Sequence, residues 1–228
     1  MKLIFISGPS GSGKTTLSKQ IIRKFKNGII LSTDNYYKIG LLSRLLSKFV
    51  EGYFDRSISF NYKLFKKDFN FILKNGISIH ERSYNFEKKI INNFLKETNN
   101  INFLIIEGIF AKEFSGTLRN QNYSFLELKI NKNECMTRVL QRDLKERGKA
   151  KKQAEDDFLK SWDIYYEKFK NKNIKNNANE LTITKDTNID QILKKLFEWF
   201  LNFFSNIKAL KIEPSILPNP SPSNQSPQ

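Results

Sequence analysis

Residues 8–15 read Gly-Pro-Ser-Gly-Ser-Gly-Lys-Thr, and no other segment constrains the fold as strongly. The apolar run Lys2-Leu3-Ile4-Phe5-Ile6-Ser7 leads into them and reads as a buried strand. Helical spacing follows over residues 13–26, with Leu17, Ile21, Ile22 and Phe25 on one face and Asn27-Gly28 as the stop. Gly28 to Thr33 is a second buried strand. Strand, glycine-rich turn, helix and strand in succession form a β-α-β unit, which calls for a parallel sheet and a right-handed crossover.

The eight residues match the spacing G-x-x-x-x-G-K-[ST]. Glycines let the backbone turn back and aim successive N–H groups inward, making a concave anion site. A helix starting near Gly13 adds the positive end of its dipole. Gly8, Ser10, Gly11, Ser12, Gly13, Lys14, Thr15 and Thr16 are therefore the candidate nucleotide-binding residues. Lys14 is placed to reach the β- and γ-phosphates, and the Thr15 hydroxyl to ligate Mg²⁺. ATP or GTP binding is the expectation.

The rest of the chain supports one α/β domain over residues 1–212. Residues 35–60 are less regular and rich in Tyr and Phe. Helices are expected at 62–74, 133–147, 154–170 and 188–208, and strands at 101–106, 123–130 and 180–184. The helix at 188–208 carries Leu193, Leu196, Phe197, Phe200 and Phe204, a stripe expected to pack on the sheet rather than lie on a membrane. Residues 213–228 hold five of the six prolines and are expected to be a flexible tail.

Two carboxylates fall at strand ends. Asp34 follows the second strand, and Glu107 follows the apolar run 101–106. In an open parallel sheet that edge is the ligand crevice, and the glycine-rich loop lies on the same edge. Asp34 is a candidate general base for an attacking hydroxyl, and Glu107 a candidate Mg²⁺ ligand acting through water. Arg142-Asp143-Leu144-Lys145-Glu146-Arg147-Gly148-Lys149 is a cationic helix end with a glycine hinge, suited to a lid over phosphates.

Composition narrows the setting. One cysteine excludes an internal disulfide, and one His with one Cys makes a structural zinc site a poor fit. No run approaches the ~18 apolar residues of a membrane span. A cytoplasmic location is expected. The net charge of +16 attracts anions in general, but the cations are scattered, so neither a specific nucleic acid nor a membrane is expected as partner.

These segments, in this order, resemble the uridine kinase and phosphoribulokinase family of P-loop kinases. Gly8 to Thr16 looks like its nucleotide loop, and Ser32-Thr33-Asp34-Asn35-Tyr36-Tyr37-Lys38 like its D-[SD]-[FY]-Y segment. Gly52-Tyr53-Phe54-Asp55 with Ser59-Phe60-Asn61 is similar to N-F-D-x-P-x-A-F-D, and Ser83-Tyr84-Asn85-Phe86 to the Y-D-F segment. Ile105 to Ala111 and Arg142 to Lys149 are similar to its [LI]-[EF]-G-I-[LF]-A strand end and R-D-x-x-E-R-G-R lid.

The resemblance implies a P-loop fold with a small helical lid. It implies ATP and Mg²⁺, phosphoryl transfer to the 5′-hydroxyl of a pyrimidine nucleoside, and possible homo-oligomers. It makes Asp34 the base and gives Lys14 and Arg147 catalytic roles, with Arg142 at the nucleotide. Tyr37, Phe54, Asp55, Tyr84 and Arg138 become acceptor contacts, Arg138 also being able to join the lid. Two alternatives stay open: another small hydroxyl acceptor (a sugar phosphate, pantothenate or another riboside), or a catalytically silent nucleotide-binding protein. Where the family places a His after Y-D-F, this chain has Lys88 and Lys89, and its one His is His80.

Overall fold

Strand β1 (Lys2–Ser7) buries both of its faces, as a central parallel strand must. Leu3 and Phe5 point to one side and Ile4 and Ile6 to the other, following the two-residue period of a strand. Strands β2 (Gly28–Ser32), β5 (Phe103–Glu107), β6 (Tyr123–Leu128) and β7 (Ala178–Ile183) complete a five-stranded sheet in the order β2-β5-β1-β6-β7. Every pairing in it is parallel. A separate antiparallel hairpin is made by β3 (Ser78–Asn85) and β4 (Ile90–Thr98).

The structure is a computed structural model. It describes residues 1–86, 88–118, 122–146, 148, 150–169 and 178–210. Among these are helices α1 (Lys14–Phe25), α2 (Leu41–Phe49), α3 (Tyr62–Asn75), α4 (Ala111–Ser115), α5 (Lys132–Glu146), α6 (Lys151–Phe169) and α7 (Ile189–Leu210). The expected tail and Arg147 lie outside the described residues, as do the side chains of Phe169 and Phe204.

One core joins Leu3, Phe5, Leu104, Ile106 and Phe125 to Phe65, Phe69 and Ile72 of α3 and to Phe110 and Phe114. The other joins Ile4, Ile6, Ile105 and Leu126 to Leu17 and Ile21 of α1 and to Ile192, Leu196 and Phe200 of α7. The α7 stripe thus packs on the sheet, although Phe197 on the same helix is exposed.

The ends of α3 show how local sequence sets an element. The Asn61 Oδ1 accepts the Leu64 N–H at 3.1 Å, satisfying one free donor of the first turn. Gly76 closes the helix in the left-handed region, its N–H donating to the Ile72 carbonyl. Between β2 and α3 the chain is more regular than expected. It holds α2 and three single turns of 3₁₀ helix, at Thr33–Tyr36, Tyr53–Asp55 and Ser57–Ser59.

Candidate active site

The parallel register brings three strand ends level. Glu107, the last residue of β5, stands beside Ser32 of β2 on one flank and Ile6 of β1 on the other. The chain leaves β1 into the glycine-rich loop and leaves β2 into the turn that carries Asp34, so both arrive at the carboxyl rim that holds Glu107.

Lys14 folds back over its own loop. Its ammonium donates to the Gly8 and Pro9 carbonyls, each at 2.9 Å. Burial lowers its pKa, and the nearby Glu107 and Asp34 carboxylates oppose that shift. Gly11 has φ 78°, and a Cβ there would lie 2.4 Å from the Cys135 carbonyl oxygen. The loop is thereby pressed against the start of α5 at a position only glycine fits. Ser10 is half-buried at the loop's tip and the Ser12 hydroxyl is buried with no hydrogen-bond partner among the described residues. Thr15 and Thr16 are exposed on the first turn of α1, which begins after Gly13 (φ 96°).

Glu107 is almost fully buried, and burial is the largest cause of its raised pKa. The Asp34 carboxylate raises it further, while Lys14 and hydrogen bonds from Ser32 and Thr15 oppose the rise. Asp34 Oδ1 is buried with no hydrogen-bond partner among the described residues. Gly108 lets these groups approach: a Cβ there would lie 1.9 Å from Thr33 Oγ1 and 3.4 Å from Asp34 Oδ1. The rim therefore collects a cation, two carboxylates and a hydroxyl in little volume, in the range where unit charges interact strongly.

Tyr37, Phe54 and Tyr84 form one aromatic cluster next to this rim. The Tyr37 ring meets Phe54 at 5.1 Å and Tyr84 at 5.2 Å, both edge-on. Phe86, not singled out as a contact from the sequence, closes the cluster at 5.0 Å from Tyr84. The Asn35 Oδ1 accepts the Tyr84 N–H at 3.1 Å, tying the β3 strand to the Asp34 turn. The Tyr84 hydroxyl is buried with no hydrogen-bond partner among the described residues, and burial pushes its pKa up to about 12. Asp55 accepts the Ser161 hydroxyl of α6 at 2.7 Å.

The arginines separate. Arg138 lies on the loop side of the site, its guanidinium donating to the Gly11 carbonyl at 3.3 Å. Arg142 pairs with the buried Asp143 at 2.9 Å and is near enough to Lys14 to lower its pKa. Arg147 lies outside the described residues.

The sequence pattern of the Phosphoribulokinase / Uridine kinase family matches residues 3–179. This chain belongs to that family. The uridine kinase of Borrelia duttonii is 31% identical over 176 residues, 74% of this chain and 80% of that one. The uridine kinase of Schizosaccharomyces pombe is 31% identical over 156 residues, which are 65% of this chain but only 33% of that protein. Among solved structures, D-glycerate 3-kinase from Cryptococcus neoformans superposes with TM-score 0.55 and 13% identity over 80% of this chain and 86% of that one, a shared fold. The chain is a P-loop kinase.

Several groups packed around the site of this kinase are invisible in its sequence motifs. Lys112 Nζ pairs with Glu127 Oε1 at 3.0 Å in a largely buried bridge between α4 and β6. Glu127 is the β6 partner of Ser7, which ends β1 just before the loop. The Ser7 and Tyr165 hydroxyls meet at 3.4 Å, and burial raises the Tyr165 pKa. Tyr36 donates to Asp68 at 3.0 Å, and Arg82 pairs with the same carboxylate, which ties α3 and β3 to the Asp34 turn. The one usable signal was a lone glutamate in the apolar strand Tyr-Ser-Phe-Leu-Glu-Leu.

Proposed function

We propose that the chain transfers the γ-phosphoryl group of ATP to the 5′-hydroxyl of a pyrimidine nucleoside, uridine or cytidine. The observation that carries this reading is the unpartnered, buried Asp34 Oδ1 at the rim shared with Lys14 and Glu107. A buried carboxylate oxygen with no donor is costly unless something else supplies one. An acceptor hydroxyl is such a donor, and a carboxylate in reach of it is a general base.

The loop from Gly8 to Thr16 binds the triphosphate through its N–H groups and the N-terminus of α1. Lys14 gives up its bonds to the Gly8 and Pro9 carbonyls for phosphate oxygens and follows the charge as it moves. Asp34 takes the proton of the 5′-hydroxyl as that oxygen attacks the γ-phosphorus in line, and ADP leaves. Arg142 of α5 and Arg147, which follows that helix in the sequence, screen the transferred charge and exclude water, and Arg138 supports the loop. The Thr15 hydroxyl and the Glu107 carboxylate are hard oxygen donors side by side, which suits Mg²⁺, a cation that keeps most of its waters. Mg²⁺ bound there would neutralise charge between the β- and γ-phosphates.

Tyr37, Phe54, Tyr84 and Phe86 offer aromatic faces to the base, and Asp55 an acceptor for ribose hydroxyls. One observation favours a second acceptor: His80, the only histidine, is exposed on β3. The reading of the base therefore falls to other groups, and another riboside or a sugar phosphate is the alternative.

ADP release with Mg²⁺·ATP, measured across uridine, cytidine, other ribosides, sugar phosphates and pantothenate, tests both. Uridine or cytidine should lead in kcat/KM. A lead for ribulose 5-phosphate overturns the nucleoside assignment, and no turnover with any acceptor overturns the reaction.

A further inference from the structure

Helix α2 is packed inside out. Ser43 and Ser47 face the protein: the Ser43 hydroxyl donates to the Lys38 carbonyl at 2.7 Å and accepts from Tyr53 at 3.1 Å, and Ser47 accepts from Lys89 at 2.6 Å. The apolar side faces outward. Leu41 is 75% exposed, Leu42 70%, Leu45 45% and Phe49 81%, and Ile39 just before the helix is 53% exposed. These five are a third of the fifteen large hydrophobic residues that are exposed among the described residues, gathered within eleven positions. Scattered exposure needs no explanation, but a contiguous ridge marks a contact surface.

Charge selects the contact. Helical spacing puts Leu41, Leu45 and Phe49 in one row with Leu42 beside it, and Arg44 and Lys48 in the adjoining row. Residues 38–50 hold three cations and no carboxylate. The bond from Lys89 to Ser47 brings the β3–β4 turn, with Lys88, to the same helix. The next carboxylate along the chain, Glu51, is paired with Lys160 at 2.8 Å. A second copy seated on this face in twofold fashion would set these cations against their own counterparts. A protein partner would need a groove shaped to the protruding side chains, whereas a fluid interface needs no matching shape.

We infer that α2 is a membrane-surface anchor, inserting its leucines and Phe49 into an anionic bilayer while the exposed Lys38, Arg44, Lys48 and Lys88 engage the lipid headgroups. The helix is short, about 14 Å at 1.5 Å per residue, so neither the apolar ridge nor the cations suffice alone. Binding needs both signals and is reversible. The anchor joins two acceptor-side segments, the Asp34–Tyr37 turn and Phe54–Asp55, through Gly40 (φ 97°) and Gly52 (φ 59°). Docking would thus hold the acceptor side of the kinase at the lipid surface.

Co-sedimentation of the full chain with vesicles tests this, using phosphatidylcholine alone or with about a third phosphatidylglycerol. The chain should bind the anionic vesicles, spare the neutral ones, and be released by high salt. Leu42→Glu and Phe49→Glu should each abolish binding with turnover and thermal unfolding unchanged. The double variant Arg44→Ala/Lys48→Ala should weaken it roughly thirtyfold, at about 1 kcal/mol per cation. Absence of binding overturns the inference. So does anionic binding that survives Leu42→Glu and Phe49→Glu, which would reflect net charge alone. A dimer seen by light scattering and lost in Leu42→Glu would assign the ridge to a second copy and overturn it equally.

Discussion

The Thr15 hydroxyl donates to Glu107 Oε1 at 3.4 Å, across a sequence separation of 92 residues. One residue lies in the first turn of the helix that follows the glycine-rich loop, and the other ends strand β5. Their meeting joins the nucleotide loop to the carboxylate rim, where burial and the Asp34 carboxylate put Glu107 under electrostatic load that the Thr15 bond partly relieves.

That load is measurable. Burial and the Asp34 carboxylate raise the Glu107 pKa, so the folded chain holds its proton more tightly than the unfolded chain does. Stability from this group therefore falls as pH rises from the unfolded value, about 4.3, through the folded one. Glu107→Gln removes the fall. The Tm advantage of the variant over the parent should widen as pH rises above about 4.3 in scanning fluorimetry. An advantage that narrows with rising pH would contradict the assigned burial cost.

Asp34→Asn should lower turnover about 10²- to 10⁴-fold, the usual span for a general base. ATP affinity by calorimetry should stay within about twofold of the parent, since only the acceptor proton is at stake. Near-parental turnover would remove Asp34 from the role of base.

Tyr84→Phe separates packing from recognition. The hydroxyl is buried with no partner among the described residues, so deleting it should leave stability unchanged or slightly raised. If it meets the acceptor, acceptor KM should rise about five- to tenfold, one neutral hydrogen bond. An unchanged KM with every acceptor would return Tyr84 to the aromatic cluster as a packing group.

Gly108→Ala should destabilise the fold by about 2–4 kcal/mol in urea titration, from a strained backbone and an overfilled site together. The backbone has φ 132° and the new methyl would overlap Thr33 Oγ1. A loss under about 0.5 kcal/mol, the range of an ordinary surface change, would mean that the Thr33–Asp34 turn moves freely.

The Lys112–Glu127 bridge should behave as a buried pair. Lys112→Met alone should cost about 3–5 kcal/mol, because Glu127 is left buried without its main partner. The double variant Lys112→Met/Glu127→Leu should recover most of it. A cycle in which the two losses simply add would show that the charges do not interact.

Much of the fold was legible because the strands of a parallel sheet covered by helices write themselves as apolar runs, even at the half-buried edge strand β2. Residues 2–7, 28–33, 101–106 and 123–130 were read as strands and lie within two or three residues of the observed bounds. The hairpin at 78–98 gave no such signal. Its β4 strand is half-buried to exposed throughout, so polar residues such as Asn92 and Asn93 interrupt any run. Helix α2 escaped for the opposite reason: its apolar side faces out and its serines face in, reversing the rule by which periodicity is read.

At the site, the glycine-rich loop could be read directly because local geometry dictates it: positive φ values and a lysine beside a helix start need fixed residues at fixed spacing. Asp34 and Glu107 were legible as strand-end carboxylates, since a parallel sheet sends all such ends to one rim. Their burial, the unpartnered Asp34 oxygen and the Thr15–Glu107 bond were decided only by the tertiary structure. So were the buried Lys112–Glu127 bridge and the Tyr36–Asp68–Arg82 tie. Such pairings depend on which segments share a layer, and no local pattern records a partner that lies 14 to 92 residues away.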